Sequence, residues 1–111
     1  METIRMMQGD SYYIFINMTQ QEQVLLPEIV DDMEICVGEY LRYSVSGGTV
    51  GFDTESQQWY FRPTQEETLS LDPGQYTVIV RVKYAGGAMS DVKGAVVGRI
   101  MIIDTHSEEV L

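Results

Sequence analysis

Few side chains in this 111-residue chain are equipped for chemistry, and their spacing narrows the choice further. There is one cysteine, Cys36, and one histidine, His106. A thiol becomes a nucleophile when a nearby base or cation lowers its pKa, yet no His or basic residue stands close to Cys36 in the sequence. Its place between Ile35 and Val37 is that of an inert strand thiol, and a lone cysteine excludes an internal disulfide. A Ser-His-Asp or Cys-His centre needs a rigidly held imidazole, whereas His106 opens the last six residues. One His and one Cys also fall short of the ligand set of a zinc site. Asp31, Asp32 and Glu34, or Asp53 and Glu55, offer oxygens to calcium, but neither group follows a recognised ligand spacing. Gly47-Gly48 and Gly86-Gly87 lack the context of a phosphate-binding loop. The expectation is a non-enzyme with no catalytic residue, cofactor or metal.

What remains is aromatic. Tyrosine combines rigid apolar area with a polar tip, so exposed tyrosines can make a protein-binding or a glycan-binding face. Tyr13, Tyr40, Tyr43 and Tyr60 are not claimed by any expected core. Phe15 joins them, because the alternation from Tyr12 to Met18 puts apolar side chains on both faces of one strand. These five are the interface candidates, and ordinary strand packing is the competing role.

The elements that would position them centre on Trp59 to Tyr84. Tyr76, Val78, Val80, Val82 and Tyr84 share one parity and Thr77, Ile79, Arg81 and Lys83 the other, the pattern of a long strand half-buried on a core. Before it, Pro73-Gly74 provides a reversal, and Tyr76, two residues after Gly74, stands where immunoglobulin-like sandwiches carry a tyrosine corner. The aromatic strand with Trp59 and Phe61 on one parity ends at Pro63, and Trp59 reads as the core anchor. Thr64 and Glu67 have capping-box spacing for a single helical turn.

Along the chain, Ile4–Met7 is a short apolar segment and 8–11 a turn. Residues 19–23 read as a loop, and Pro27 confines 24–30 to an edge or irregular path. Gly38 divides Met33–Tyr43 as a bulge or bend. Val50–Asp53 is a brief strand, 85–88 a turn, 90–93 polar, and Val96–Asp104 the last strand. Short strands with turn signals about every ten residues and no amphipathic helix predict an all-β fold, an immunoglobulin-like β-sandwich of about seven or eight antiparallel strands. The domain is expected over 1–105, with 106–111 as a tail.

A formal charge of −10, from 17 acidic and 7 basic side chains, opposes binding to nucleic acid or to anionic membrane. No apolar run is long enough to span a bilayer, and the first residues lack a signal-peptide pattern. The protein is therefore expected to stay in the compartment where it is made.

In two stretches, RMMQGDSYYIFINMT and WYFRPTQEETLSLDPGQYTVIVRVKY, the chain resembles the N-terminal immunoglobulin-like domain of phage baseplate upper proteins and related small proteins of phages and prophages. The shared features are the Gly9-Asp10-Ser11 turn before an alternating strand, the corner Thr64, Glu66, Glu67 and Thr68, and the Gly74-x-Tyr76 strand. The resemblance covers about half the chain, and from its length the expectation is a module without the fibre or platform segments into which baseplate proteins continue. It implies a structural module made in the bacterial cytoplasm and built into a virion. Its partners would be other phage structural proteins, with homo-oligomerisation an option. The alternative is a carbohydrate-binding β-sandwich that uses surface tyrosines.

Overall fold

The computed structural model describes residues 2–86 and 91–111. The expected turn at 85–88 and polar segment at 90–93 lie partly outside the described residues. The strands are β1 (Glu2–Met7), β2 (Ile14–Ile16), β3 (Thr19–Gln20), β4 (Gln23–Val24), β5 (Val30–Val37), β6 (Leu41–Ser44), β7 (Val50–Asp53), β8 (Gln58–Phe61), β9 (Gly74–Tyr84) and β10 (Val92–Ile103). A 3-10 turn at Pro27–Ile29 and one helix, α1 (Gln65–Leu69), complete the described elements.

Two sheets face each other, one ordered β1-β10-β9-β5-β6 and the other β2-β8-β7. With β2, β8 and β7 as strands B, E and D, and β5, β6, β9 and β10 as C, C′, F and G, this is the immunoglobulin-like order. The strand count of the two sheets agrees with expectation, and the direction of one strand differs. Eight strands build the two sheets, β3 and β4 add a separate hairpin, and β1 runs parallel to β10, from Glu2 opposite Gly98 to Met7 opposite Ile103. No short turn links these two strands, so nothing local imposes the antiparallel sense.

The alternation expected of β9 is present along its whole length. Val78, Val80 and Val82 are buried, and Thr77, Ile79, Arg81 and Lys83 point outward. Opposite them the core takes Met33, Ile35 and Val37 from β5, Ile100 and Ile102 from β10, and Trp59 and Phe61 from β8. Trp59 is the anchor its size implies, and its indole N–H donates to the Leu25 carbonyl at 2.8 Å. That bond draws the irregular stretch after β4 onto the core.

Other boundaries moved. The expected strand from Tyr12 to Met18 shortens to Ile14–Ile16, with Tyr12 outside it and exposed. Residues 19–23 are not a loop but the hairpin β3–β4, whose turn residues Gln21 and Glu22 hold φ of 50° and 67°. Neither residue type favours that region, which is why the turn left no signal. Gly38, at φ 56°, does not bend one strand but opens the turn between β5 and β6. The last strand begins at Val92, with a bulge between Val96 and Gly98. The residues after it carry no regular structure, yet the Leu111 backbone exchanges two hydrogen bonds with the Gln65 side chain.

The crossing from β8 to β9 is fastened at three points. Thr64 and Glu67 form the expected capping box on α1. The Glu67 carboxylate that accepts the Thr64 N–H also accepts the Tyr43 hydroxyl at 3.1 Å, which ties the helix to β6. At the far end the Tyr76 hydroxyl donates to the Asp72 carbonyl, the tyrosine corner, and Gly74 beside it takes φ 149°, a region closed to residues with a Cβ.

Two outcomes follow from this framework. Gly98 lies opposite Glu2, and a Cβ there would sit 2.9 Å from the Glu2 carbonyl oxygen, which is backbone and has nowhere to go. Gly98→Ala should destabilise by about 1–3 kcal/mol through loss of β1 pairing, read as a lower urea midpoint. Burial, and the Glu67 carboxylate beside it, hold the Tyr43 phenol well above its ordinary range. Below about pH 9 this phenol is protonated in both states and its contribution is complete; above about pH 10 the unfolded chain loses a proton that the folded chain keeps, so stability falls as pH rises. Tyr43→Phe should cost about 1–2 kcal/mol at neutral pH and flatten the alkaline decline measured by denaturant titration.

Candidate interaction surface

The side chains that could serve function gather on the outer face of the β2-β8-β7 sheet. In that sheet Ile14 pairs with Phe61, Phe15 with Tyr60 and Ile16 with Trp59, while Gly51 of β7 lies opposite Tyr60. Trp59 and Phe61 point into the core, so the period-two rule turns Tyr60 and Phe15 outward. Tyr13, just before β2, adds a third ring. Its centroid is 5.6 Å from that of Tyr60 with the planes at 88°, and Phe15 meets Tyr60 at 5.7 Å and 51°. Tyr13 is 55% exposed and Phe15 43%.

Two neighbours fix this cluster. The Arg62 guanidinium lies 5.2 Å from the Tyr13 ring centre, a cation-π contact. Arg62 is itself held by donating from Nε to the Ser11 hydroxyl, which donates to the Pro63 carbonyl. Gly51 gives the Tyr60 ring its bed, since a Cβ at that position would lie 2.4 Å from the phenol carbon and oxygen. Tyr13 and Tyr60 thus form a ridge between two open hollows of about 340 and 370 Å³, one bordered by Asp53 and Thr54 and the other by Thr49 and Arg62. Glycine in the brief strand 50–53, and arginine directly after the aromatic strand, are the sequence signals that mark these two residues.

The remaining candidates stand apart from the cluster. Tyr43 is not an interface residue: only 4% exposed, it faces Phe61 in the core with ring centres 4.9 Å apart. The inward parity of β6 puts it there, alongside Leu41. Tyr40, 69% exposed, sits in the turn between β5 and β6 and meets the Tyr76 ring edge-on at 5.8 Å, away from the three-stranded sheet. Trp59, Gly74 and Tyr76 hold the structural places described above.

The reactive residues do not converge. Cys36 lies on the outer face of β5, where burial first and then its hydrogen bond to Glu34 raise the thiol pKa and keep it protonated. His106 stands beyond β10, 3.7 Å from Asp104. Asp31 pairs with Lys83 and Glu34 with Arg81. The Asp32 carboxyl is held below its usual range, chiefly by the Ser46 N–H. Asp53 is likewise lowered by the Ser56 hydroxyl and the Glu55 N–H. Among the described residues no group of three metal-ligating side chains comes together. No helix of the described residues is long and apolar enough to cross a membrane.

Gly51→Ala separates the surface from the fold. Its Cβ meets the far end of a side chain, which can swing away, so Tyr60 should leave its bed while the core stays intact. The expected reading is a changed near-UV circular dichroism spectrum, with the unfolding free energy shifted by less than about 1.5 kcal/mol.

No family model matches the sequence, and neither a curated protein nor a solved structure matches it.

Proposed function

We propose that this protein is a non-catalytic protein-binding module, a structural component of a phage or prophage tail or baseplate, and that Tyr13, Phe15 and Tyr60 make its contact. The observation that carries the binding role is the ridge of outward rings pinned by Gly51 and Arg62. Protein interfaces are anchored by Tyr and Arg that are rigid before binding, since little side-chain entropy is then lost on contact. A ridge between hollows suits a partner surface that interdigitates with it. The phage assignment draws on the likeness of the Gly9-Asp10-Ser11 turn and the corner from Thr64 to Tyr76 to baseplate domains. Glycan binding draws less support: sugar rings stack on the faces of parallel aromatics, and planes crossing at 88° and 51° do not supply a ladder of such faces.

The test is incorporation. Tail particles purified on a gradient from a strain that carries the gene should contain the chain in stoichiometric amount. Tyr13→Ala and Tyr60→Ala should each weaken incorporation by about thirtyfold, equivalent to about 2 kcal/mol, while Tyr40→Ala leaves it unchanged. Purified particles without the chain would end the assembly reading. Retention of a soluble glycan by the wild type but not by Tyr60→Ala would replace it with the carbohydrate reading.

A further inference from the structure

The outer face of the five-stranded sheet carries a different signature. Outward positions place Arg5 on β1, Arg99 on β10, Arg81 and Lys83 on β9 and Arg42 on β6, all but two of the 7 basic side chains of a chain with net charge −10. The register arranges them. Val96, Ile79, Cys36 and Arg42 lie side by side across β10, β9, β5 and β6, forming an outward apolar strip, exposed at Val96 and Ile79 and half-buried at Cys36, that ends in a cation. Arg81 lies one outward position along β9 from Ile79 on one side, and Thr77, opposite Arg99, one position along on the other. Arg81 and Lys83 have carboxylate partners in Glu34 and Asp31, whereas Arg5, Arg42 and Arg99 have none within ion-pair distance among the described residues.

The complementary surface is on the same molecule. The 8–10 turn, α1 with its flanks and the 104–111 segment meet at one pole, joined by bonds from Gly9 to Thr68, from Gln8 to Leu71 and from Leu111 to Gln65. These segments hold Asp10, Glu66, Glu67, Asp72, Asp104, Glu108 and Glu109 and no Lys or Arg. Their dimensions also agree. β10, with 12 residues, spans about 40 Å, so the strands run along the 48 Å axis and the pole presents the 26 × 25 Å cross-section. Five strands at about 4.8 Å make a face of similar width, giving roughly 600 Å² per partner, the lower bound of specific interfaces.

We infer that the cationic outer face of the five-stranded sheet receives the acidic pole of a second copy of this chain. Face and pole are different surfaces, so the contact is heterologous: each bound copy offers a fresh face and a fresh pole, and the series continues until it closes as a ring. This goes beyond the binding role proposed above and uses a different surface from Tyr13, Phe15 and Tyr60.

The test is sedimentation velocity of the purified chain over a wide concentration range. Oligomers larger than dimers should grow with concentration at low salt and dissociate at about 1 M salt, where the Debye length is about 3 Å. A face variant, Arg42→Gln with Arg99→Gln, and a pole variant, Glu66→Gln with Asp72→Asn, should each be monomeric with unchanged circular dichroism. Mixed together they should form a one-to-one pair and nothing larger, because only one good face and one good pole remain. A monomer under all conditions, or oligomers indifferent to both variants, would overturn the inference. Binding of heparin, used as a generic polyanion, by the wild type without self-association would overturn it in favour of a different anionic partner. Tyr13→Ala with Tyr60→Ala should self-associate like the wild type, so failure of the aromatic reading leaves a separate trace.

Discussion

The structure depends on how the chain crosses from one sheet to the other between Phe61 and Gly74. A sandwich requires such a crossing to leave the backbone polar groups of a short connection bonded, even though that connection has no ladder to join. Here one carboxylate, Glu67, closes the helix cap and receives Tyr43 from the opposite sheet, and the Tyr76 hydroxyl takes the Asp72 carbonyl just before β9 begins. The buried Thr68 hydroxyl continues the chain of bonds to Gly9 and Asp10, so the turn after β1 is set by the same corner. The register of β9, and through it of β5 and β10, starts from this place.

How much of this was legible depended on whether the signal was local. The parity of Tyr76 to Tyr84, the Thr64-Glu67 spacing and the tyrosine after Gly74 are properties of a few consecutive residues, and all appear where the sequence places them. Signals that depend on distant partners were not legible. Nothing in Glu2–Met7 says that its neighbour is Gly98–Ile103, or that the pairing is parallel. Gln21 and Glu22 make a two-residue hairpin turn with side chains that oppose it, so tertiary contacts, including Leu25 donating to the Met18 carbonyl, impose the shape. Tyr43 was misplaced because alternation in a four-residue strand does not say which parity faces inward. The aromatic surface lay between these cases: Tyr13, Phe15 and Tyr60 were named singly, but their meeting required the pairing of β2 with β8.

The two outer faces of the sandwich divide by chemistry. The three-stranded sheet shows rings with little formal charge beyond Arg62, and the five-stranded sheet shows most of the cations around a narrow apolar strip. A charged outer face also protects a sandwich against edge-to-edge and face-to-face aggregation, so its cations contribute to solubility whatever they bind. Cys36 and His106, the only residues of their kinds, occupy neither a shared pocket nor a shared element, and their chemistry is muted by burial in one case and by position in the other.

The parallel pairing of β1 with β10 bears on how the protein is born. In the larger sheet β10 lies between β1 and β9, so β1 touches no other strand of that sheet. During synthesis β1 emerges long before its partner, since Glu2 lies opposite Gly98. Until β10 leaves the ribosome, the apolar inner edges of β1 and β9 face a gap the width of one strand. The missing strand is a template to which a neighbouring nascent chain could add its own β10. Translation pace between β9 and β10, and access of chaperones to that gap, therefore govern whether the sheet closes within one chain or between two.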